Sequence, residues 1–487
     1  MDKKKIKIVH VSAEVAPFSK TGGLADVARS LPEALFKLDH DVRIITPFYG
    51  KLIDEKEYNL KMIFKNINVV IDPENSIKVN FWQGKLNGGL PVYFVDIKKY
   101  FSKHKRIYGS DKENVRFLTF NVAVLKLLNI LELVPDIIHC HDWHSGLIPY
   151  FLKNKGRYTK IFSKTKTVFT IHNLAFQMGR NWFHISPEKK DYGRKKIPLV
   201  SDPEIENVNF AKRAIMSADI INAVSEKYRD EIMTKKFGQD LHRILKNRSN
   251  RLFGIVNGID YDSYNPQNDP GLFHKFDFKT HKLKKENKKF LQKKLGLPVN
   301  ENVPLICSTS RIAHQKGFDV VLRLLPFLLR LDIQIIFMGD GSENYIKEIK
   351  NLNKKFPKKI FWMPFRENHD IETLVYAGSD FFVLPSYYEP CGINQMISMR
   401  YGCIPIVRET GGLYDTVKNF NPGSKNGTGF TFRYEDEFSF FWAIVRALET
   451  YKYKDVWNSI IERAMSQSSS WEIPAQDRKS TRLNSSH

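Results

Sequence analysis

The feature that most constrains the fold is the alternation of short apolar segments with longer amphipathic ones along almost the whole chain. Stretches such as LADVARSLPEALFKL and NVRFLTFNVAVLKLLNIL have helical periodicity and separate the apolar segments. This alternation predicts βαβ units built around a mostly parallel sheet. In the first half of the chain the predicted strands are IKIVHV, DVRIITP, PVYFVDI, DIIHCHD, TVFTIHN, DIINAVS and FGIVNGID.

The alternation is interrupted once and then starts again, which predicts two α/β domains. The interruption contains Pro, Gly, Asn and a run of Lys, and it indicates a linker followed by a solvated helix. We expect a Rossmann-like domain over 1–262, a linker over 263–300 and a second Rossmann-like domain over 301–476. Such folds bind ligands at the carboxyl ends of their strands, so we expect a binding cleft between two facing domains. The second set of strands is PLICSTSRI, IQIIFMGDG, KIFWMPF, DFFVLPS, CIPIVRETGG and GTGFTF.

Charge, apolar content and cysteine usage narrow the choice of partners. The net charge of +23 would suit nucleic acid, a membrane surface or an anionic small molecule. Most of the charge lies in helix-like runs, and no zinc-finger spacing or aromatic-interleaved basic stripe favours nucleic acid. No apolar run approaches the roughly 20 residues that span a bilayer. The four cysteines form no C-x-x-C pair, so we expect free thiols in a reducing cytoplasm.

The end of the chain differs from what precedes it. DRKSTRLNSSH, residues 477–487, does not continue the preceding helix-like pattern. It matches the translation of a common sequencing-adapter oligonucleotide, and we interpret it as an assembly artefact outside the fold.

The loop Lys20-Thr21-Gly22-Gly23 follows the first predicted strand and precedes a predicted helix. Paired glycines permit a positive φ and a close approach to the backbone, and a helix N-terminus offers free N–H groups. With Lys20, these features suit an anion. An ordinary strand-to-helix turn would have the same sequence, so both interpretations remain open.

Two further loops in the second half carry polar groups at strand ends. Arg311 and Lys316 follow one predicted strand, and two cations at this spacing suit a diphosphate, although a solvated pair is the alternative. Glu389 follows another strand, in the stiff turn E-P-C-G, with a helix predicted from about Ile393. A carboxylate there suits a sugar hydroxyl, and the helix amides suit a phosphate. RETGGLYDTV repeats the T-G-G-L pattern, and a turn is the alternative there.

Several motifs resemble parts of a metal site or a dinucleotide site, but each lacks a feature that such a site needs. His139, His141, Asp142 and His144 fall within HCHDWH, and the first two would share one face of a strand. No further ligand follows at a familiar spacing, so we expect no metal there. We interpret the D-x-D of Asp260–Asp262 as a turn, and GDG at 339–341 lacks the third glycine of a dinucleotide fingerprint.

Taken in order, these motifs resemble those of bacterial glycogen synthases and plant starch synthases. The resemblance extends from about Ile6 to about Ala475 and depends on SAEVAPFSKTGGLADV, HCHDWHSGL, FTIHNLAFQ, VNGID, SRIAHQKGFD, EPCGINQ, RYG, ETGGLYDTV and GTGF. It implies that the chain is a retaining glucosyltransferase with two facing Rossmann-like domains, which is the GT-B architecture. It also implies no cofactor or metal.

The resemblance assigns roles to matching positions. It implies catalytic roles for Arg311, Lys316, Glu389, His172 and Asp142. The first two match the pair that holds the donor diphosphate, His172 matches a residue that contacts the glucose, and Asp142 matches an acidic residue near the reacting centre. The residues it implies for substrate binding are Lys20, Gly22, Gly23, Asn257, Phe365, Cys391, Gly392, Ile393 and Asn394.

Some positions depart from the family pattern. Tyr387 replaces a frequent Arg, Asn394 a frequent Thr, and Phe365 the usual Tyr that stacks on the base. The stretch MGRNWFHISPEKKDYGRKK is irregular, which puts the acceptor contacts in question. Family chains end in a helix that returns to the N-terminal domain, and the adapter-like tail stands in its place.

The expected function is a glucan synthase that elongates an α-1,4-glucan from ADP-glucose in a bacterial cytoplasm, with neither nucleic acid nor membrane as a partner. Three alternatives remain. One is a transferase of the same fold with another sugar donor. The others are a catalytically impaired glucan-binding protein and a basic nucleic-acid binder.

Overall fold

The computed structural model describes residues 5–154 and 157–484. The chain divides into two compact α/β units. The first comprises the chain up to Val224, Arg229–Ile255 and the chain from Trp471 onward. The second comprises Ser225–Tyr228 and Val256–Ser470.

The sheet of the first unit is mixed rather than purely parallel. Its order is β3-β4-β5-β2-β1-β6-β7-β8-β9, with β4 antiparallel to both β3 and β5 and the remaining neighbours parallel. The β3–β4 hairpin was not predicted. Its strands are half exposed at the sheet edge and lack the long apolar runs of the buried strands. The strands are β1 Lys7–Val11, β2 Asp41–Pro47, β3 Lys61–Val70, β4 Ser76–Lys85, β5 Pro91–Asp96, β6 Ile137–His141, β7 Lys166–Ile171, β8 Ile220–Ala223 and β9 Leu252–Gly254.

Helices follow the strands as the alternation predicted. The amphipathic run after β1 forms a helix that buries Ala25, Leu31 and Leu35 and continues through Pro32. The second run is buried along nearly its whole length. The helices of this part of the chain are α1 Gly23–Lys37, α2 Glu113–Ile130, α3 Leu147–Lys153, α4 Arg157–Ile161, α5 Phe210–Ser217, α6 Glu226–Ile232 and α7 His242–Asn247.

The sheet of the second unit is parallel throughout its described strands, in the order β12-β11-β10-β13-β14-β15. This is the doubly wound order of a Rossmann fold. The strands are β10 Leu305–Thr309, β11 Gln334–Met338, β12 Ile360–Met363, β13 Phe381–Leu384, β14 Ile404–Arg408 and β15 Phe430–Phe432. The helices are α8 Lys284–Lys294, α9 Phe318–Leu328, α10 Glu343–Lys355, α11 Phe365–Asn368, α12 Glu372–Gly378, α13 Asn394–Arg400, α14 Gly411–Thr416, α15 Glu437–Lys452 and α16 Lys454–Ser466.

The segment expected to be a linker, 263–300, lies inside the second unit, and the first unit's central segment ends at Ile255 rather than at residue 262. The lysine-rich α8 is not a solvated helix, because one of its faces packs in the unit. Lys284 is buried and donates to the carbonyls of Tyr376 and Ala377, and Lys288 pairs with Asp380 at 2.6 Å. Lysine ammonium groups that satisfy buried carbonyls look like solvated charges in a sequence.

The chain ends in α17, Glu472–Asn484, which extends into the segment interpreted as an artefact. Arg478 is buried, donates to the carbonyl of Ile255 at 3.1 Å and lies over the ring of Trp471. Residues 485–487 lie outside the described part of the chain. No described helix is both long and apolar enough to cross a membrane.

Candidate active site

In each unit most of the candidate residues follow the strands at which the strand order reverses. In the first unit β1 lies beside β6, and in the second β10 lies beside β13. Loops that leave such neighbours in opposite directions open a crevice at the carboxyl edge of the sheet, where ligands of these folds bind.

The K-T-G-G loop of the first unit is held by a buried carboxylate. Glu14, just after β1, accepts hydrogen bonds from the backbone N–H and hydroxyl of Thr21 and from the hydroxyl of Tyr108. Burial raises the pKa of Glu14 above its ordinary value, although these three donors oppose the shift. Lys20 is exposed and pairs with Asp26 at 2.8 Å. This role of Glu14 was not predicted from the sequence.

The two glycines of the loop do not adopt a positive φ, contrary to what turn chemistry would have required. Gly22 has φ −164°, which is extended backbone open to any residue, and Gly23 begins α1. A Cβ on Gly22 would meet no atom within 4 Å. The protein itself therefore does not demand glycine at position 22.

Asp142 follows β6 in a strained conformation, with φ 55° and ψ 177°. A residue with a side chain is rarely found there, and strain of about 1–3 kcal/mol persists where surrounding contacts enforce it. Its carboxylate accepts hydrogen bonds from the N–H groups of His172, at 2.7 Å, and Asn173. Burial raises the pKa of Asp142 to about 7 despite these donors.

Three imidazoles lie in a row across neighbouring strands β1 and β6 and the end of β7. Nδ1 of His10 lies 3.1 Å from Nε2 of His141, and Nδ1 of His141 lies 3.0 Å from Nε2 of His172. Burial, with a smaller contribution from the charge of Arg478, lowers the pKa of His172 to about 3, so this ring is neutral. The sequence reasoning missed His10, although a histidine in an apolar strand was a visible signal.

His10, His139 and His141 bring one nitrogen each to within 4.8 Å of one another, which raises the question of a metal. The ring planes do not suit one. His139 and His141 stack face to face with centroids 4.3 Å apart, and Nε2 of His139 contacts the hydroxyl of Thr170 at 2.6 Å. Both nitrogens of His141 already face imidazoles. A shared ion needs in-plane nitrogens that converge, so the cluster is arranged as a hydrogen-bonded group.

In the second unit the structure brings Lys316 and Glu389 together. Their side chains form an ion pair in which both groups are largely buried. Gly317 makes this approach possible, because it has φ 74° and an added Cβ would lie 2.2 Å from the carbonyl oxygen of Pro385. Arg311 is exposed on the same loop and donates to Gln315 at 3.1 Å.

A second glycine pair supports the E-P-C-G turn, where the sequence left a simple turn open. Gly411 and Gly412 begin α14, and an added Cβ would lie 1.9 Å and 2.0 Å from the carbonyl oxygens of Glu389 and Cys391. Gly411 also has φ 44°. The T-G-G sequence therefore fixes the backbone of the turn that carries Glu389.

The remaining residues of the turn lie at the start of α13. Cys391 is buried, Gly392 has φ 68°, Ile393 precedes the first helical residue, and Asn394 begins the helix. The side chain of Asn394 donates to the carbonyl of Thr309 at the end of β10. The family's frequent Arg before the turn is absent here, and the hydroxyl of Tyr387 donates to Asp319 at 2.7 Å.

The other predicted positions are more dispersed. Phe365 is half-buried at the start of α11, and Asn257 is buried in the second unit rather than in the domain expected to hold it. In GDG, Gly339 and Gly341 pack on the loop of Arg311, because added Cβ atoms would lie 2.1 Å from the carbonyl oxygens of Ser310 and Ile312. The D-x-D motif forms a turn, in which the carboxylate of Asp260 accepts hydrogen bonds from the backbone N–H of Asp262 and the hydroxyl of Ser263.

The chain is similar to known proteins along nearly its whole length. The sequence profile of the starch synthase catalytic domain matches residues 7–247, and that of group 1 glycosyl transferases matches residues 287–463. The glycogen synthase of Anoxybacillus flavithermus is 38% identical over 474 residues, which cover 96% of this chain and 95% of that protein. The chain belongs to the glycogen synthase family.

Two further members of this family agree with the assignment. The glycogen synthase of Desulforudis audaxviator is 40% identical over 481 residues, covering 96% of this chain and 94% of that protein. The catalytic domain of starch synthase IV from Arabidopsis thaliana, bound to ADP and acarbose, superposes with a TM-score of 0.88 at 31% identity, covering 99% of both chains. These findings confirm the expected pair of Rossmann-like domains and a glycosyltransferase activity.

Proposed function

We propose that this glycogen synthase family member transfers glucose from ADP-glucose to the non-reducing end of an α-1,4-glucan with retention of configuration. The observation that carries the proposal is the ion pair of Lys316 with Glu389, beside Arg311, at the reversal of strand order in the second unit. The bound ADP and acarbose of starch synthase IV support a nucleotide donor and a glucan acceptor.

The demanding step is departure of the nucleotide diphosphate. Cleavage of the sugar–phosphate bond leaves an oxocarbenium-like sugar and an additional negative charge on the phosphate. Arg311 and Lys316 stabilise that charge, Arg311 with a planar fork and Lys316 as a point charge. A preorganised cation of this kind contributes about 3 kcal/mol or more, as judged from the loss of a single oxyanion donor.

The turn after β13 holds the donor sugar. Lys316 pairs with Glu389 in the structure, and a bound diphosphate becomes a second anionic partner for the Lys316 ammonium. Glu389 then accepts hydrogen bonds from glucose hydroxyls together with Cys391 and Gly392, and the amides of Ile393 and Asn394 face the distal phosphate. Phe365 stacks on the base, and Asn257 contacts the glucose.

Further roles fall to groups of the first unit. Lys20, Gly22 and Gly23 form the loop that approaches the donor, and the open space at Gly22 leaves room for it. Neutral His172 binds a glucose hydroxyl without placing a second positive charge beside the oxocarbenium-like carbon. Asp142, with a pKa of about 7, is partly ionised near neutral pH and offsets the charge of that carbon.

Retention requires the acceptor to attack the face from which the phosphate departs. The departing phosphate oxygen takes the proton of the acceptor 4-hydroxyl while the C1–phosphate bond breaks and the new C1–O4 bond forms. No protein nucleophile takes part. A covalent glucosyl adduct trapped on Glu389 or Asp142 would overturn this step. We place the reaction in a bacterial cytoplasm, because the matching glycogen synthases come from bacteria.

A donor screen tests the proposal. Purified protein is incubated with glycogen and either ADP-glucose or UDP-glucose, and both nucleotide release and incorporation of labelled glucose are measured. Faster incorporation from ADP-glucose is expected. Incorporation only from another sugar nucleotide would assign a different transferase, and glycogen binding without release of nucleotide would indicate a catalytically impaired glucan-binding protein.

A further inference from the structure

The row of imidazoles begins deep in the first unit and ends at a residue of the candidate site. His10 lies in the buried strand β1, His141 ends the neighbouring β6, and His172 follows β7 directly. The parallel register places His10 opposite His139 and His141 opposite Thr170, so each member of the row lies two residues beyond the position opposite the previous member. His10 and His141 are fully buried, so water does not compete for their nitrogens.

Each contact in the row joins two ring nitrogens, and the tautomers of the rings decide which nitrogen donates. A neutral imidazole has one N–H and one lone pair, so it donates through one nitrogen and accepts through the other. Both nitrogens of His141 face imidazoles, at 3.1 Å and 3.0 Å. His141 must therefore donate to one neighbour and accept from the other. Whichever direction the row adopts, the tautomer of His141 determines which nitrogen of His172 carries its proton.

We propose that His141, oriented in turn by His10, is a positioning residue that holds the ring of His172 in one plane and one tautomer. The inference rests on the proposed function, in which His172 binds a glucose hydroxyl. A ring locked in one tautomer presents one fixed donor or acceptor to that hydroxyl, whereas a freely exchanging ring presents the correct group only part of the time. An imidazole oriented by a second group has this effect in other enzymes.

The neighbouring His139 provides a matched control. It lies on the same strand as His141, is equally buried and stacks on the ring of His141. Its Nε2 contacts the hydroxyl of Thr170, which is not a member of the row of His10, His141 and His172. Replacing His139 removes a buried imidazole of the same size and tests the effect of packing alone.

The experiment combines nitrogen-15 NMR of histidine-labelled full-length protein with steady-state kinetics. The nitrogen shifts and the two-bond couplings to ring protons identify the tautomer, and a His172→Gln spectrum assigns the signal of His172. The wild-type protein should show His172 as one neutral tautomer at about pH 7. In His141→Leu we expect a mixture of tautomers and a kcat about tenfold to a hundredfold lower, with a smaller change in the KM for ADP-glucose.

Further variants separate positioning from folding. His139→Leu should keep the single tautomer of His172. His141→Asn, which retains a polar group near the former Nδ1 but cannot reach His10, should recover part of the kcat lost in His141→Leu. Two exchanging tautomers in the wild type, or an unchanged tautomer in a folded His141 variant, would overturn the proposal. If neither His141 variant folds, the wild-type spectrum alone tests the proposal, through the number of His172 tautomers that it shows. A wild type with one tautomer but no glucosyl transfer would refute the proposed function alone.

Discussion

The ammonium of Lys316 and the carboxylate of Glu389 form an ion pair that joins the loop after β10 to the turn after β13. Glycines bring the two loops together. Gly317 accommodates the carbonyl of Pro385, and Gly411 accommodates that of Glu389. The two charges compensate each other within the protein, and the proposed mechanism assigns the ammonium to the leaving phosphate.

Replacing Lys316 tests the assignment of charge stabilisation. Lys316→Ala should lower kcat with ADP-glucose at least about a hundredfold, because the departing phosphate loses a preorganised cation. Circular dichroism and the thermal midpoint should show an intact fold. Lys289→Ala is the matched control, since Lys289 is an exposed lysine of the same unit paired with Glu286 on a helix surface. Near-normal turnover of Lys316→Ala would refute the assignment.

The two glycine pairs should respond differently to alanine. Gly411→Ala should lower the free energy of unfolding by about 1–3 kcal/mol, because the residue has a positive φ and its Cβ would meet the carbonyl of Glu389. Gly22→Ala should change it by less than about 0.5 kcal/mol, because the backbone is extended and the space is open.

Kinetics then distinguish a ligand-binding glycine from a structural one. Gly22→Ala should raise the KM for ADP-glucose even though the fold is unaffected. Urea unfolding and initial rates on the same preparations provide both readouts. A Gly22→Ala protein with wild-type stability and wild-type kinetics would contradict the inference that a ligand approaches this loop.

The buried carboxyl of Asp142 should produce a pH dependence of stability. Its pKa is about 7 in the folded protein, whereas an unfolded aspartate releases its proton near about pH 3.9. Between these values the folded state binds more protons than the unfolded state. The contribution of Asp142 therefore favours folding at low pH, and it falls as pH rises to about 7, by up to about 1.4 kcal/mol per pH unit. Above that pH it is constant.

Asp142→Asn removes this titration and retains an oxygen for the N–H of His172. The stability gained by the variant over the wild type should therefore increase with pH across the same window, as measured by urea unfolding in a series of buffers. A difference that is independent of pH would show that Asp142 ionises normally in the folded protein.

The last helix carries its own prediction. Arg478→Ala should lower the free energy of unfolding by about 1–3 kcal/mol, because the carbonyl of Ile255 loses a charged donor and Trp471 loses the guanidinium on its ring. Ile473→Ala, at an exposed site on the same helix, should have little effect. Equal midpoints for the two variants in denaturant would indicate that residues near 478 do not stabilise the fold.

The buried strands and the loops that follow them were predictable because their signals are local. Apolar runs marked β1, β6, β10 and β13, and polar residues directly after them marked Lys316 and Glu389. The meeting of Lys316 with Glu389 was not predictable, because it depends on the pairing of β10 with β13. The same holds for the row of His10, His141 and His172, whose members come from separate parts of the chain.

The features that the sequence did not predict correctly also have physical explanations. The β3–β4 hairpin lies at a half-exposed edge, where the period-two pattern is weak. The helix α8 was taken for a solvated linker because nothing in a run of lysines reveals that Lys284 and Lys288 satisfy buried acceptors. The sequence left the conformation of Gly22 open, since glycine occurs both where φ is positive and where a side chain would obstruct a ligand.

The most direct test of the central claim is elongation of a short maltooligosaccharide, followed by mass spectrometry. Wild-type protein with ADP-glucose should yield a ladder of products, each one glucosyl unit longer than the last, in which every new linkage is an α-1,4 bond by proton NMR. Folded Lys316→Ala, assayed in parallel, should yield almost none. An unextended primer with wild-type protein, or new bonds of β configuration, would contradict the account.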